Sequence, residues 1–287
     1  MSQPNLVILA GGISSRMKNA AAEAMLPPGL RHEAATKPKA MIGVGEQARP
    51  FLDYLLRNVA AAGYREVMIV IGEKDQSIRA YYDQGGARQF DRLNLGYAAQ
   101  PIPPGRARPL GTADALWHGL AARPDWRGQS FTVCNSDNLY STAALHGLLQ
   151  ETHANAMIDY DRAALQFSSE RIAQFAVIEK DSRGFLRNII EKPDPATLVQ
   201  LADQDGRVGV SMNLFRFAYD DILPCLAAVP LHPVRQEKEL PAAVKLLVER
   251  NPQAVFTIRR AEHVPDLTMP SDITAVREFL EREHHGA

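Results

Sequence analysis

Cysteine is scarce, with two in 287 residues. Cys134 and Cys225 sit in separate apolar segments without Cys-x-x-Cys spacing, which speaks against a disulfide framework and reads as reduced core cysteines of a cytoplasmic protein. Long hydrophobic runs are missing too. No stretch approaches the ~20 apolar residues of a membrane span. The first apolar run, Leu6 to Ala10, is cut off by glycines and has no basic region before it, which argues against a secretory signal. Charge of one sign is also lacking. The formal net charge is −1 with no basic tract, so nonspecific binding to nucleic acid has little electrostatic support. His284 and His285 are too few for a metal tract and read as a solvated tail. No internal repeat and no low-complexity linker is found, nor any convincing Ser-His-Asp or Cys-His arrangement. What remains, 46% hydrophobic and 23% charged residues, is the profile of a chain that buries a sizeable core. Its length exceeds the usual ~150 residues per domain but suits a single α/β domain spanning 1–287.

The most informative stretch is Leu6-Val7-Ile8-Leu9-Ala10-Gly11-Gly12-Ile13-Ser14-Ser15-Arg16-Met17. An apolar run stops at paired glycines, followed by hydroxyls and an arginine. A buried parallel strand of this kind delivers the chain to a sheet edge, where glycines let backbone N–H groups approach an anion. Arg16 adds a planar fork of donors suited to phosphate oxygens. The pattern is neither the three-glycine dinucleotide fingerprint nor a P-loop, which ends in Gly-Lys-Ser/Thr.

Strand-like and helix-like runs alternate through the first half. Leu6 to Ala10 is followed by a helical face over Phe51 to Val59, ending at Gly63. Val67 to Ile71 reads as a strand buried on both faces, Gln76 to Asp83 as a short helix, and Leu95 to Gln100 as a third strand. A Pro-rich loop from Pro101 to Pro109 leads to a helix from Gly111-Thr112 to about Arg123, and Ser130 to Cys134 is a fourth strand. This alternation implies parallel strands with covering helices. The second half begins with an antiparallel hairpin, Phe175 to Glu179 and Leu186 to Ile190 around a turn at Asp181 to Gly184. A strand from Val208 to Phe217, helices near Ala218 to Leu226 and Glu239 to Arg250, a strand Val255 to Ile258 and a terminal helix from Pro270 follow. The segment Lys18 to Thr36 reads as a surface insertion, with a mobile lid as the alternative.

Further polar clusters fall at strand ends, where open α/β sheets bind ligands. Thr36-Lys37-Pro38-Lys39 precedes an apolar, strand-like stretch; solvated lysines are the plain alternative to a phosphate contact. Gln100 ends a strand and can both give and accept hydrogen bonds in plane, as a nucleobase edge requires. Thr112 opens a helix and is either a ligand contact or simply its N-cap. Asp137, in Asn135-Ser136-Asp137-Asn138, suits Mg²⁺ or an Asx turn. Ile190-Glu191-Lys192-Pro193 is a charge pair that otherwise reads as a surface ion pair. In Pro265-Asp266-Leu267-Thr268-Met269-Pro270-Ser271-Asp272, helix-start signals account for Pro270 and Asp272. Asp266 is left over, a candidate second metal carboxylate beside Asp137.

Taken in this order, the motifs resemble those of the sugar-1-phosphate nucleotidyltransferases, the sugar-nucleotide pyrophosphorylases. The resemblance runs from Leu6 to about Ile273. It implies a Rossmann-like α/β fold of the nucleotide-diphospho-sugar transferase type, a mixed, mainly parallel sheet flanked by helices, with a small antiparallel sugar-binding part. About 1–140 would form the nucleotide-binding half and about 141–287 the sugar-phosphate half. Ala10, Gly11, Gly12, Arg16 and Lys39 would hold the nucleoside triphosphate, with Gln100, Gly111 and Thr112 near its base. Asp137 and Asp266 would hold Mg²⁺. Glu191 would reach a ring hydroxyl of the sugar and Lys192 its phosphate, with Asn213 near the sugar. Departures from the pattern are Ser14-Ser15-Arg16-Met17 in place of Gly-Thr-Arg-Leu, and Thr268-Met269-Pro270 in place of Gly-Thr-Pro. No left-handed β-helix repeat follows the domain.

The reaction implied is attack by a sugar 1-phosphate oxygen on the α-phosphorus of a nucleoside triphosphate, UTP or dTTP favoured, with release of pyrophosphate. Both reactants are anions, and two unit charges about 4 Å apart repel by ~4 kcal/mol at an effective dielectric of 20, so cations must converge there. Arg16, Lys39 and Lys192 are the candidates in the chain, with Asp137 recruiting the metal. No general base is required, because the attacking phosphate is already ionised near neutral pH. The cysteine usage points to a cytoplasmic enzyme and the charge and apolar runs to no nucleic-acid or membrane partner, in a family whose members are often homo-oligomers. The glycine loop also resembles that of the molybdenum-cofactor guanylyltransferases, which lack the Glu-Lys-Pro element. A non-catalytic nucleotide-sugar-binding subunit is the alternative of another class.

Overall fold

The computed structural model describes residues 4–45 and 48–285. The elements of the first half are β1 (Asn5–Ala10), α1 (Ser15–Ala20), α2 (Pro28–Thr36), α3 (Phe51–Ala61), β2 (Glu66–Gly72), α4 (Ser77–Asp83), β3 (Asn94–Gln100), α5 (Thr112–Ala121) and β4 (Ser130–Asn135). Then come α6 (Thr142–Gln150), β5 (Asn155–Asp161), α7 (Ser169–Ile172), β6 (Val177–Lys180), β7 (Leu186–Ile190), α8 (Pro195–Leu201), β8 (Gly209–Val210), β9 (Phe215–Ala218), α9 (Tyr219–Ala228), α10 (Leu240–Arg250), β10 (Val255–Arg260) and α11 (Asp272–His285).

One sheet runs through both halves in the order β3-β2-β1-β4-β9-β5-β8-β6-β7, with β10 paired to β5. The pairs β3–β2, β2–β1, β1–β4 and β5–β10 are parallel, while β9 is antiparallel to both β4 and β5. The small β6–β7–β8 part is antiparallel, with a register shift between Glu179 and Lys180. The layout is the mainly parallel sheet with an antiparallel part that the sequence suggests.

Strand β1 shows why an unbroken apolar run is needed. Leu6, Ile8 and Ala10 face one core with α3 and α6, and Val7 and Leu9 face a second core with α5, α9 and α10. Leu6, Val7 and Ile8 are fully buried, worth about 1.5–3 kcal/mol each against exposure. Because β1 pairs with β2 on one side and β4 on the other, its C-terminal end is the point where strand order turns back, and an open crevice forms there.

Two sequence expectations are corrected. The strand expected over Val208 to Phe217 is two short strands, because Asn213 adopts a left-handed conformation (φ 55°) and breaks the ladder. The strand-like stretch after Lys39 is a 3₁₀ turn over Lys39–Met41. The segment 18–36 is a mostly exposed surface insertion that carries α2 and is pinned to the core at a few points. Met17, Ala21 and Ala34 are fully buried in the first core, and the Glu33 carboxylate accepts the Gly43 N–H at 2.8 Å. Among the described residues, no helix is long and apolar enough to cross a membrane.

Candidate active site

Most of the residues singled out from sequence converge on one cavity of about 460 Å³ at the C-terminal ends of β1 and β4, a volume ordinary for a small-molecule site. Ala10, Gly11, Gly12 and Arg16 form one wall, and Lys39 and Asp137 lie beside them. Gln100, Gly111 and Thr112 close a second side, and Glu191 and Asn213 a third. Lys192 and Asp266 are not among the lining residues.

The glycine loop is placed by strand pairing. The Ser136 N–H donates to the Leu9 carbonyl at 3.1 Å, which continues the β1–β4 ladder to the cavity edge. Ser14 follows in a left-handed conformation (φ 57°), and its hydroxyl accepts the Lys39 backbone N–H at 3.3 Å. That contact draws Lys39 under the loop despite the intervening segment. Lys39 Nζ then pairs with Asp137 Oδ2 at 2.9 Å, both side chains being mostly buried. Arg16 is exposed at the rim and has no ion-pair partner among the described residues.

Gln100 is 2% exposed, and its Nε2 donates to the Gly111 carbonyl at 2.9 Å and to Asp114 Oδ2 at 2.8 Å. A carboxylate can only accept, so the amide orientation is forced and Oε1 is left against Gly11. Gly11 must be glycine for this packing: a Cβ there would lie 2.7 Å from Gln100 Oε1. Thr112 is not a helix cap. Gly111 (φ 101°) holds that position, and the Thr112 hydroxyl accepts the Leu240 N–H at 2.9 Å. The loop before α10 is thereby stitched to the start of α5, an arrangement completed by Ala113 N–H donating to the Lys238 carbonyl at 3.0 Å.

The two candidate metal carboxylates lie on paired backbone segments. Asn138 and Asp266 form an antiparallel bridge, Leu139 N–H donates to the Pro265 carbonyl and Leu267 N–H to the Asp137 carbonyl, each at 2.8 Å. Burial, and then the charge of Asp137, push the Asp266 carboxyl up from its ordinary value. Asp137 already faces Lys39 and Asp266 faces Arg171, and their hard carboxylate oxygens are of the kind that suits a divalent ion such as Mg²⁺. Asp266 also carries Arg171 on Oδ2 and the Thr268 hydroxyl on Oδ1, at 2.9 and 2.8 Å. Asp272 is more than a helix-start acid. Its carboxylate accepts the N–H groups of Thr268 and Met269 at 2.8 and 2.6 Å and pairs with Arg171.

Glu191 reaches the cavity but not as a pair with Lys192, which is exposed and strained at φ 46°. Its partner is Arg235, which also binds Glu239. Arg235, Glu237, Glu239 and Arg108 are cavity residues that sequence reasoning misses. The one signal was the charged run Arg235-Gln236-Glu237-Lys238-Glu239 ahead of Leu240-Pro241, which reads equally well as an ordinary helix start. The cavity thus combines a glycine loop, Arg16 and the Lys39–Asp137 pair with Arg235 held by Glu191 and Glu239, an arrangement able to bring two phosphate-bearing molecules together.

Comparison with known proteins gives a consistent picture. A family model described as nucleotidyl transferase matches residues 29–282. Among curated proteins, the chain is similar to glucose-1-phosphate adenylyltransferase 2 of Vibrio parahaemolyticus serotype O3:K6 (strain RIMD 2210633), 25% identical over 75% of this chain and 49% of that one. It is also similar to glucose-1-phosphate adenylyltransferase of Bifidobacterium longum (strain DJO10A), 26% identical over 72% of this chain and 46% of that one. The chain therefore spans about half the length of these curated relatives. Among solved structures, UDP-glucose pyrophosphorylase complexed with UDP-glucose shares the fold with a TM-score of 0.70 at 16% identity, over 99% of this chain and 100% of that one.

Proposed function

The chain belongs to the nucleotidyl transferase family, and from that premise we propose that it joins a nucleotidyl group to a sugar 1-phosphate. The observation that carries this reading is the single cavity in which Gly11, Gly12, Arg16 and Lys39 face Asp137, Glu191 and Arg235. An oxygen of the sugar phosphate attacks the α-phosphorus, a new P–O bond forms, and the bond to pyrophosphate breaks. The glycine-loop N–H groups and Arg16 take the triphosphate, and Lys39 neutralises charge at the reacting phosphate. Mg²⁺ held by the carboxylate oxygens of Asp137 and Asp266 would supply further charge neutralisation. In this reading Arg235, not Lys192, is the cation that meets the sugar phosphate, and Glu191 orients it while reaching a ring hydroxyl. Residues about 1–140 serve the nucleotide and about 141–287 the sugar phosphate.

Glucose 1-phosphate is the first acceptor to test, since the adenylyltransferase relatives carry it in their names and the solved neighbour is complexed with UDP-glucose. For the base, Gln100 Oε1 is the acceptor left by the engaged Nε2; it fits the imide N–H of uracil or thymine and equally the amino group of adenine, so UTP, dTTP and ATP are the donors to compare. The names of the curated relatives favour ATP as a second reading. The experiment is pyrophosphate release with Mg²⁺ across UTP, dTTP, CTP, GTP and ATP against several hexose 1-phosphates. Release that depends on one sugar phosphate and is lost in Asp137→Ala is expected; a blank grid would overturn the proposal in favour of another acceptor or a non-catalytic binder.

A further inference from the structure

The geometry points to Arg171 as the positioning residue for the Asp266 carboxylate, an inference that rests on the reading of Asp137 and Asp266 as a divalent-metal pair. Arg171 is about 100 residues distant in sequence from the loop it serves and lines no part of the cavity. Its guanidinium spans two acids at once. Nη2 donates to Asp266 Oδ2 at 2.9 Å, and Nη1 donates to Asp272 Oδ1. The Asp272 carboxylate is itself fixed by the backbone N–H groups of Thr268 and Met269. The guanidinium carbon stands 4.5 Å from the centre of the Phe167 ring, which packs edge-on against Phe175 and His263. Arg171 is therefore anchored on its far side and on its face, and Asp266 is the end that it holds.

The consequence follows from the donor count. The Thr268 hydroxyl occupies one direction on Asp266 Oδ1, and Arg171 one on Oδ2. Each carboxylate oxygen accepts two hydrogen bonds or ligands, so the remaining direction on each oxygen is set by these partners. The backbone lacing of Asn138 to Asp266 keeps the carboxylate beside Asp137. Lys39 does not play the same part for Asp137. It lines the cavity and must serve a phosphate, whereas Arg171 is tied to Asp272 and stays in place. Removing a partner that orients a ligating carboxylate characteristically weakens metal binding by roughly 10–100-fold.

The test is binding of Mn²⁺ alone to the free protein, followed by water-proton relaxation, for wild type and for Arg171→Met, Arg171→Lys, Asp272→Asn and Asp137→Asn, with circular dichroism to check folding. Arg171→Met is expected to weaken Mn²⁺ binding by roughly 10–100-fold, with Arg171→Lys, which keeps the charge but cannot span both acids, recovering only part. Asp272→Asn should shift affinity in the same direction by less, and serves if the Arg171 variants unfold. Unchanged Mn²⁺ affinity in a folded Arg171→Met protein, beside a loss in Asp137→Asn, overturns the inference and leaves Arg171 as a stitch between α7 and the loop before α11. Tighter binding would also overturn it, since Arg171 would then be a competitor of the ion. Unchanged affinity in Asp137→Asn overturns the metal-pair reading itself, and this inference with it.

Discussion

The glycine loop makes its sharpest prediction at Gly11. An alanine there meets no conformational obstacle, since Gly11 is not among the glycines with positive φ. The obstacle is contact: the new Cβ would stand 2.7 Å from Gln100 Oε1, about 0.7 Å inside the ordinary limit of 3.4 Å. Gln100 cannot swing aside freely, because Nε2 is held at 2.9 and 2.8 Å by the Gly111 carbonyl and Asp114. Moving the amide by that amount stretches both bonds to roughly 3.5 Å, where little remains of them. One is neutral, worth about 1 kcal/mol, and one is charge-assisted, worth about 1.5–3 kcal/mol; after partial relaxation the cost is about 2–3 kcal/mol. If the strain stays in the folded protein, Tm falls by roughly 3–5 °C. If the loop yields instead, and if it holds the triphosphate as proposed, kcat/KM for the nucleotide falls roughly 30–150-fold. The assay is differential scanning calorimetry with nucleotide kinetics on Gly11→Ala, Gln100→Ala and the double variant. Shortening Gln100 removes the obstacle, so Gly11→Ala should cost less than about 0.5 kcal/mol in that background. An equal cost of Gly11→Ala with and without the Gln100 side chain would refute the reasoning.

Two further predictions concern stability. The fully buried Tyr64 hydroxyl bonds with Thr132 Oγ1 at 2.6 Å and donates to the Leu145 carbonyl at 3.0 Å; Tyr64→Phe should lower stability by about 1–3 kcal/mol, read as a lower urea midpoint at unchanged slope. Burial first, and then the positive charges of Arg282 and Arg171, hold the His263 imidazole down at about 4, against an ordinary value of 6.5. A depressed folded value means that the unfolded chain binds the proton more readily, so the stability is fully present above pH 6.5 and is lost as pH falls through about 4. Allowing for solvent screening of a partly exposed ring, the loss is about 1–2 kcal/mol. His263→Phe should flatten that part of the stability–pH curve, and an unchanged slope in the variant would count against the assignment.

The local chemistry of the sequence determined much of this protein. Strands β1, β2 and β4 are legible because burial on both faces demands uninterrupted apolar residues. The glycine loop is legible because an apolar strand that stops at paired glycines marks a tight turn at a sheet edge, and most of the residues named from sequence do line one cavity. The tertiary structure decided the rest, wherever a residue's environment comes from far along the chain. Strand β5 is hidden in the sequence because Asp159 interrupts its apolar run; the acid is tolerated at 0% exposure only because Lys180 and Arg207 pair with it from other elements. Glu191 pairs with Arg235 and not with its neighbour Lys192 because a left-handed residue and a loop between two helices set which cation reaches it. Thr112 reads as a cap until Leu240 arrives to use its hydroxyl. Asp272 reads as a helix-start acid until Arg171 joins it to Asp266. Periodicity and turn chemistry are properties of neighbours in the chain, and sequence carries them; charge partners are properties of neighbours in space, and only the folded chain brings them together.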